Sequence, residues 1–258
     1  MRIGFYTFVS PVTLLIANRL IGSGKICAVV LQRPMTGSSR WRFVVDRVRR
    51  RGPVRAADEI LFWVYYRFFL KRGDERLRAS QFPDVHSLRL QPGSVPVEEV
   101  DSINSEHGRT LLRHLQLDAV VMQSREMIDP DVLAIPRLGF IGCHPGILPE
   151  YRGVYASFWA MARGEPEKVG LSVYAADQGI DTGGVISQRV LPPKFPVRHF
   201  KVEAERLMVE GVTDLLEAIA RMENGGLHVV AKPGSPSRCF SHLGLSDYLR
   251  AALKGSPA

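Results

Sequence analysis

Gly139-Phe140-Ile141-Gly142-Cys143-His144-Pro145-Gly146-Ile147-Leu148-Pro149-Glu150-Tyr151-Arg152-Gly153 decides how this chain is read. Five residues of strand type, Gly139–Cys143, run directly into a histidine. Two prolines and two glycines then punctuate the loop that follows. Upstream lies a second short apolar run, Ala119–Gln123, and between the two sits a short helical stretch, Asp129–Ile135. That is a strand–helix–strand unit, whose partners in a sheet run parallel. In such sheets ligands collect outside the carboxyl ends of the strands, which is where His144 falls.

Working outward, the same alternation repeats. Arg2–Tyr6 reads as a strand and Pro11–Ile21 as a helix, with Leu14, Leu15, Ala17, Leu20 and Ile21 at helical spacing. Ile26–Gln32 reads as a buried β-branched strand. Val95–Val100 is extended and Ser105–Leu115 helical. Beyond the His144 loop come a helix at Ser157–Arg163, strands at Gly170–Ala175 and Gly184–Leu191, and a long amphipathic helix, Val202–Met222. A short helix, Leu245–Leu253, ends the chain. The fold class is therefore α/β, a Rossmann-like, mostly parallel sheet flanked by helices.

Composition agrees. The 258 residues are 45% hydrophobic and 23% charged, ordinary for a globular chain that buries a core. Disorder, collagen and coiled coil are excluded. The three cysteines, Cys27, Cys143 and Cys239, are far apart and form no CxxC. This argues against a disulfide framework or a cysteine zinc site and for a reduced, cytoplasmic setting. The apolar runs Phe5–Ala17 and Ile60–Leu70 are too short to span a bilayer. Gly22-Ser23-Gly24-Lys25 looks like a phosphate loop but lacks its first glycine and its Ser/Thr, and it follows a helix instead of opening one.

The charge is uneven. Of the net +8, nearly all comes from Arg40–Arg78, where twelve basic residues face five acids. Trp41, Phe43, Phe62, Trp63, Tyr65, Tyr66, Phe68 and Phe69 are interleaved with them, on a stretch read as helical over Arg40–Leu77. Three readings stay open: an aromatic side packed on the body, an anionic membrane surface, and nucleic acid.

Two further elements carry chemistry. His144 can exchange protons near neutrality. Asp177-Gln178-Gly179-Ile180-Asp181-Thr182-Gly183 places two acids four apart in a glycine-bearing loop, without the oxygen ligands or terminal glutamate of a calcium loop. No metal site is expected. An acid serving His144 is the better reading.

Taken in order, Gly139–Gly153, Trp159–Glu165, Gly170–Tyr174 and Asp177–Gly183 resemble the catalytic domain of the folate-dependent formyltransferases. That family includes methionyl-tRNA formyltransferases, glycinamide ribonucleotide transformylases and sugar N-formyltransferases. The resemblance covers about residues 95–222, extends to 1–35, and is poor over 36–94 and in the tail. It implies a formyltransferase domain over 1–222, with 36–94 as a helical, basic insertion and 223–258 as a short tail. It also implies transfer of a formyl group from 10-formyltetrahydrofolate to a primary amine. His144 matches the catalytic histidine and Asp181 the catalytic aspartate. The folate would rest against Met122, Gln123, Ser124, Met127, Leu148, Asp177, Gly179 and Ile180. Tyr151, Arg152, Tyr155 and Trp159 would border the acceptor.

One position departs from the family. Its catalytic asparagine, a hydrogen-bond donor to the developing oxyanion, falls on Gly142. Loss of such a donor costs about 10²–10³ in rate. A water, Gln123 or Ser124 could fill the gap, or transfer could be lost. Cys143 alternates to the other face of the strand. The approximately 35 residues after the long helix are too few for the β-barrel of methionyl-tRNA formyltransferases, which disfavours nucleic acid. An amino sugar, nucleotide- or lipid-linked, is the expected acceptor. The alternatives are a formyltetrahydrofolate hydrolase and a non-catalytic folate- or lipid-binding relative. A lipid-linked acceptor would bring Arg40–Arg78 to the inner membrane face.

Overall fold

A computed structural model describes residues 1–34, 48–49, 51–83, 89–225, 229 and 236–253. Of the stretch expected to be helical, residues 40–47, with Arg40, Trp41, Arg42, Phe43 and Arg47, and residue Arg50 lie outside the described residues. Seven strands form the main sheet: β1 (Ile3–Phe8), β2 (Ala28–Gln32), β3 (Val97–Val100), β4 (Ala119–Gln123), β5 (Phe140–His144), β7 (Gly170–Ala175) and β8 (Val185–Val190). Their order is β3-β2-β1-β4-β5-β7-β8. The first five are mutually parallel; β5–β7 and β7–β8 are antiparallel. A separate two-stranded piece pairs β6 (Arg152–Gly153) with β9 (Cys239–Phe240).

The helices are α1 (Pro11–Gly22), α2 (Pro53–Tyr65), α3 (Lys71–Gln81), α4 (Glu106–Leu115), α5 (Pro130–Leu133), α6 (Ala156–Ala162), α7 (Phe200–Glu223) and α8 (Leu245–Leu253). α1 starts where the sequence says it should. Ser10 and Thr13 bond each other's backbone amides reciprocally, and Pro11 takes the first turn, where no amide is needed. α2 runs into α3 through a π-helical turn, Tyr66–Leu70. This widening re-aims the side chains that follow it.

Alternation sorts the sheet's two faces. Ile3, Phe5, Val121, Ile141 and Cys143 meet α1 and α7 through Ile16, Leu20, Val212, Leu215 and Ile219. Tyr6, Val30, Val120 and Phe140 meet α4 and α5 through Leu112, Leu115 and Val132. Each large apolar side chain so buried is worth about 1.5–3 kcal/mol. A third cluster, with Phe62, Tyr151, Phe158, Phe200, Leu243 and Tyr248, joins α2, α6, α7 and α8 beside the sheet.

Through this third cluster α2 and α8 are joined to the body, and polar contacts tie down α3. Phe62 packs on Phe200 and Tyr248 at centroid distances of 6.1 and 5.4 Å. Asp74 of α3 is wholly buried and takes the Tyr66 hydroxyl at 2.8 Å and His199 Nδ1 at 2.7 Å. Arg78 forms a two-pronged ion pair with Glu205 of α7. The aromatic side of the basic helix is thus packed on the body along Ala56, Glu59, Phe62 and Asp74. The opposite side is not: Val54, Leu61, Trp63, Phe68 and Phe69 are exposed, with Arg67, Arg72 and Arg76 beside them.

Candidate active site

The parallel strands end together, and the loops that leave them meet the hairpin β7–β8. Register sets two rows of side chains across this end. Met122, Gly142 and Tyr174 are paired neighbours on β4, β5 and β7, and His144, Ser172 and Gln188 form the next row on β5, β7 and β8. Residues two apart on a strand share a face, so Gly142 and His144 look the same way.

His144 closes β5 and is nearly buried. Its Nε2 lies 2.8 Å from the carbonyl oxygen of Tyr151, and its Nδ1 lies 3.4 Å from Oδ2 of Asp181. Both neighbours are acceptors. Nε2 therefore carries a hydrogen and donates to the carbonyl, and the carboxylate is fully satisfied only by a ring protonated on both nitrogens. Asp181 holds its place with φ +50°, a left-handed conformation that Asp tolerates, and accepts the amide of Gly153 at 2.9 Å. Arg152 Nη1 donates to the carbonyl of Ile180 at 3.0 Å, tying the His144 loop to the aspartate loop.

The loops are set by small, local devices. Ser172 Oγ donates to the Gly146 carbonyl at 2.7 Å and accepts the Leu148 amide at 3.1 Å. Gly146 has no room for a side chain, because a Cβ there would stand 2.8 Å from His144 Nε2 and 2.4 Å from the Cβ of Ala156. Asp177 Oδ1 accepts the Gly179 amide at 3.0 Å and the Thr182 hydroxyl at 2.6 Å, which shapes the turn leading to Asp181. After β4, Glu126 accepts the hydroxyls of Tyr6 and Ser102 and the amide of Ile103, while Asn104 Nδ2 donates to the Met127 carbonyl at 2.7 Å.

The expected site residues divide accordingly. Met122 packs with Leu148, Tyr174 and Val185 in one small apolar cluster. Met127 and Ile180 are exposed at the loop tips. Gln123 alternates onto the face of Val121 and Cys143, and the hydroxyl of Ser124 is held by Glu126, accepting its amide at 3.0 Å and donating to its carbonyl at 2.8 Å. Neither side chain fills the space over Gly142. Tyr174 does: a Cβ built on Gly142 would lie 2.9 Å from Tyr174 Cε1 and 3.2 Å from its hydroxyl oxygen. Tyr151 is fully buried, stacked on Phe240 with its hydroxyl on Glu165 at 2.8 Å, so it lends the site its carbonyl, not its ring. Trp159 also stacks on Phe240. Tyr155 stands at φ +60°, edge-on to Phe200.

Among the described residues, the buried side-chain atoms with no hydrogen-bond partner include Gln123 Oε1, Glu150 Oε2, Arg152 Nε, Ser157 Oγ and Trp159 Nε1. All belong to the end of β4 or to the stretch that follows His144. Buried polar atoms are seldom left unpaired, and a polar ligand supplies partners for a cluster of them. Arg125, at the end of β4, was missed by the sequence reading. Its guanidinium lies 3.6 Å over the Phe8 ring, and burial lowers its pKa. Cys143 faces α7, and burial pushes its thiol up to about 12, so it is inert. Among the described residues, no group of three or more His, Cys, Asp or Glu gathers for a metal, and no helix is long and apolar enough to cross a membrane.

Comparison with known proteins finds relatives of this chain. Residues 75–200 match the family described as formyl transferase. A methionyl-tRNA formyltransferase of Microcystis aeruginosa is 32% identical over 158 residues, 60% of this chain and 48% of that protein. The chain spans between about a third and about half the length of the curated relatives it matches. Among solved structures, glycinamide ribonucleotide transformylase 1 from Symbiobacterium toebii aligns with a TM-score of 0.55 at 18% identity, covering 93% of this chain and 94% of that one. A sugar N-formyltransferase from Shewanella sp FDAARGOS_354 aligns at 0.56 and 12% identity, covering 97% and 88%. These two share the fold.

Proposed function

We propose, from the match of residues 75–200 to the formyl transferase family, that this chain is a formyl transferase and moves a formyl group from 10-formyltetrahydrofolate to the primary amine of an amino sugar, nucleotide- or lipid-linked. The observation that carries the reading is His144, held between the Tyr151 carbonyl and Asp181 at the carboxyl end of β5.

The chemistry follows from those atoms. The amine attacks the formyl carbon, a carbon–nitrogen bond forms, and the carbonyl electron pair moves to oxygen. The new nitrogen is then an ammonium, and the leaving N10 is a poor leaving group until it gains a proton. With Nε2 keeping its hydrogen on the Tyr151 carbonyl, Nδ1 of His144 takes the proton from the first nitrogen and returns it to the second, and Asp181 beside it stabilises the imidazolium between those steps. Collapse of the oxyanion breaks the bond to N10 and leaves a formamide and tetrahydrofolate. The folate's place is the edge formed by Met122–Met127, Leu148 and Asp177–Ile180. Arg152, Tyr155 and Trp159 lie on the acceptor side, and the Trp159 indole N–H is free to donate.

The test is turnover of 10-formyltetrahydrofolate with nucleotide-linked amino sugars, scored for formamide and for free formate. Formamide production that disappears in His144→Ala supports the reading. Formate release that needs no amine identifies a hydrolase, and folate binding without either product identifies a non-catalytic relative.

We also infer that the outward face of α2 and α3 rests on an anionic bilayer surface. Exposed Trp63, Phe68 and Phe69 beside Arg67, Arg72 and Arg76 suit the boundary between acidic headgroups and acyl chains. Sedimentation with phosphatidylserine vesicles should capture the protein at low salt and release it as salt screens the charge. Failure to bind at low salt removes the idea. Dimerisation lost in Phe68→Ser/Phe69→Ser would assign the face to a second copy instead.

A further inference from the structure

We propose that the Tyr174 hydroxyl is the hydrogen-bond donor to the developing oxyanion, standing where Gly142 leaves the strand without a side chain. This rests on the formyl-transfer reading of the site.

Three observations carry it. First, Gly142 and Tyr174 are directly paired on β5 and β7, in the row next to His144 and on its face. Second, the ring occupies the volume that any side chain at 142 would need: the Cβ position is 2.9 Å from Cε1 and 3.2 Å from both Cζ and the hydroxyl oxygen. An asparagine at 142 and a tyrosine at 174 exclude each other. Third, the hydroxyl lies against the Asp181 carboxylate, and the ring is buried with Met122, Leu148 and Val185. Burial, and then the Asp181 charge, raises the phenol's pKa well above its ordinary value. It therefore stays a neutral O–H donor at any pH at which His144 cycles.

Pre-set donors of this kind stabilise charge that appears only in the transition state. In the resting site the hydroxyl is turned to Asp181. When the formyl oxygen gains its electron pair, the O–H points to that oxygen, shares its hydrogen without giving it up, and returns when the carbonyl re-forms. His144 alone moves the ammonium proton to N10. Gly142 is then an accommodation to Tyr174, not a lesion.

Two carbon analogues of the formyl donor, with carbon in place of N10, test this by calorimetry. One carries an aldehyde that hydrates to a tetrahedral diol; the other carries hydrogen there. Wild type should prefer the aldehyde about tenfold or more, and Tyr174→Phe should lose that preference while binding the second analogue unchanged. In turnover, Tyr174→Phe should drop kcat about 10²–10³-fold with little change in KM for the folate. Gly142→Asn alone should not help, because its Cβ meets the ring. Gly142→Asn/Tyr174→Ala, which makes room for an amide donor, should restore the preference, and it serves as the test should Tyr174→Phe not fold. A preference retained by Tyr174→Phe, absent in wild type, or not restored in the double variant overturns the role of Tyr174. Failure of wild type to bind either analogue overturns the folate reading beneath it.

Discussion

The molecule contains two His–Asp–Tyr clusters built from the same side chains, and they are put to different uses. His199, Asp74 and Tyr66 tie the basic helix pair to α7; His144, Asp181 and Tyr174 stand at the end of the sheet. In the first, the imidazole–carboxylate distance is 2.7 Å and the carboxylate has no exposure at all. In the second it is 3.4 Å, and the carboxylate side chain is 15% exposed. Asp74 sits on a helix, packed on all sides. Asp181 sits on a loop, in a left-handed conformation. The chemistry of the three groups is common to both clusters. What separates the clasp from the candidate catalyst is the looser, partly exposed carboxylate and the unpaired polar atoms in the stretch that follows the histidine.

The comparison breaks most visibly at the histidines. His144→Ala should lower formyl transfer by about 10²–10⁴-fold, with only the smaller loss of stability, about 1–3 kcal/mol, that goes with leaving the buried Tyr151 carbonyl unpaired. An unaffected rate removes its assigned role. Asp74→Ala should do the reverse. It strands the Tyr66 hydroxyl and His199 inside the protein, at a cost of about 3 kcal/mol in urea unfolding, while the protein that remains folded keeps its kcat. An undiminished urea midpoint would mean that the clasp holds nothing.

The smallest effect sharpens the picture of the clasp's neighbourhood. Lys201 Nζ lies 3.3 Å over the Tyr66 ring, and burial lowers its pKa to about 8. The folded pKa is below the ordinary lysine value, so between them the unfolded chain binds more protons and stability rises with pH. In a Cys143→Ala background, which removes a buried thiol whose raised pKa acts in the opposite direction over the same range, the urea midpoint should climb from pH 8 to about 9.5, before tyrosines begin to ionise in the unfolded chain. Lys201→Met should be more stable than wild type at neutral pH and should lack that climb. Equal slopes for the two proteins would show that Lys201 is not the group responsible.

The main sheet was legible because each strand is a short apolar run bounded by turn residues, and because helix caps such as Ser10 and Ser105 mark starts by local bonds. His144 and Asp181 were legible through their flanking glycines and prolines, which the site needs for space. What stayed hidden depends on pairings distant in sequence. The β6–β9 contact joins residues more than eighty apart, and Asp74 meets His199 across 125 positions. Tyr174 was visible only as a strand residue. Its place over Gly142 follows from the antiparallel register of β5 and β7, which no local pattern encodes. Tyr151 was expected at the acceptor because it neighbours His144, yet its ring is drawn into the core by Phe240. Strand alternation was enough to place Cys143, and applied to Gln123 it would have turned that side chain from the gap as well.

The most direct measurement is calorimetric titration with a stable 10-formyltetrahydrofolate analogue, coupled to amide hydrogen exchange. The account predicts one micromolar site per chain, with slowed exchange confined to Met122–Met127 and Asp177–Asp181. No binding, or protection elsewhere on the molecule, would contradict it and mean that this end of the sheet has been turned to another use.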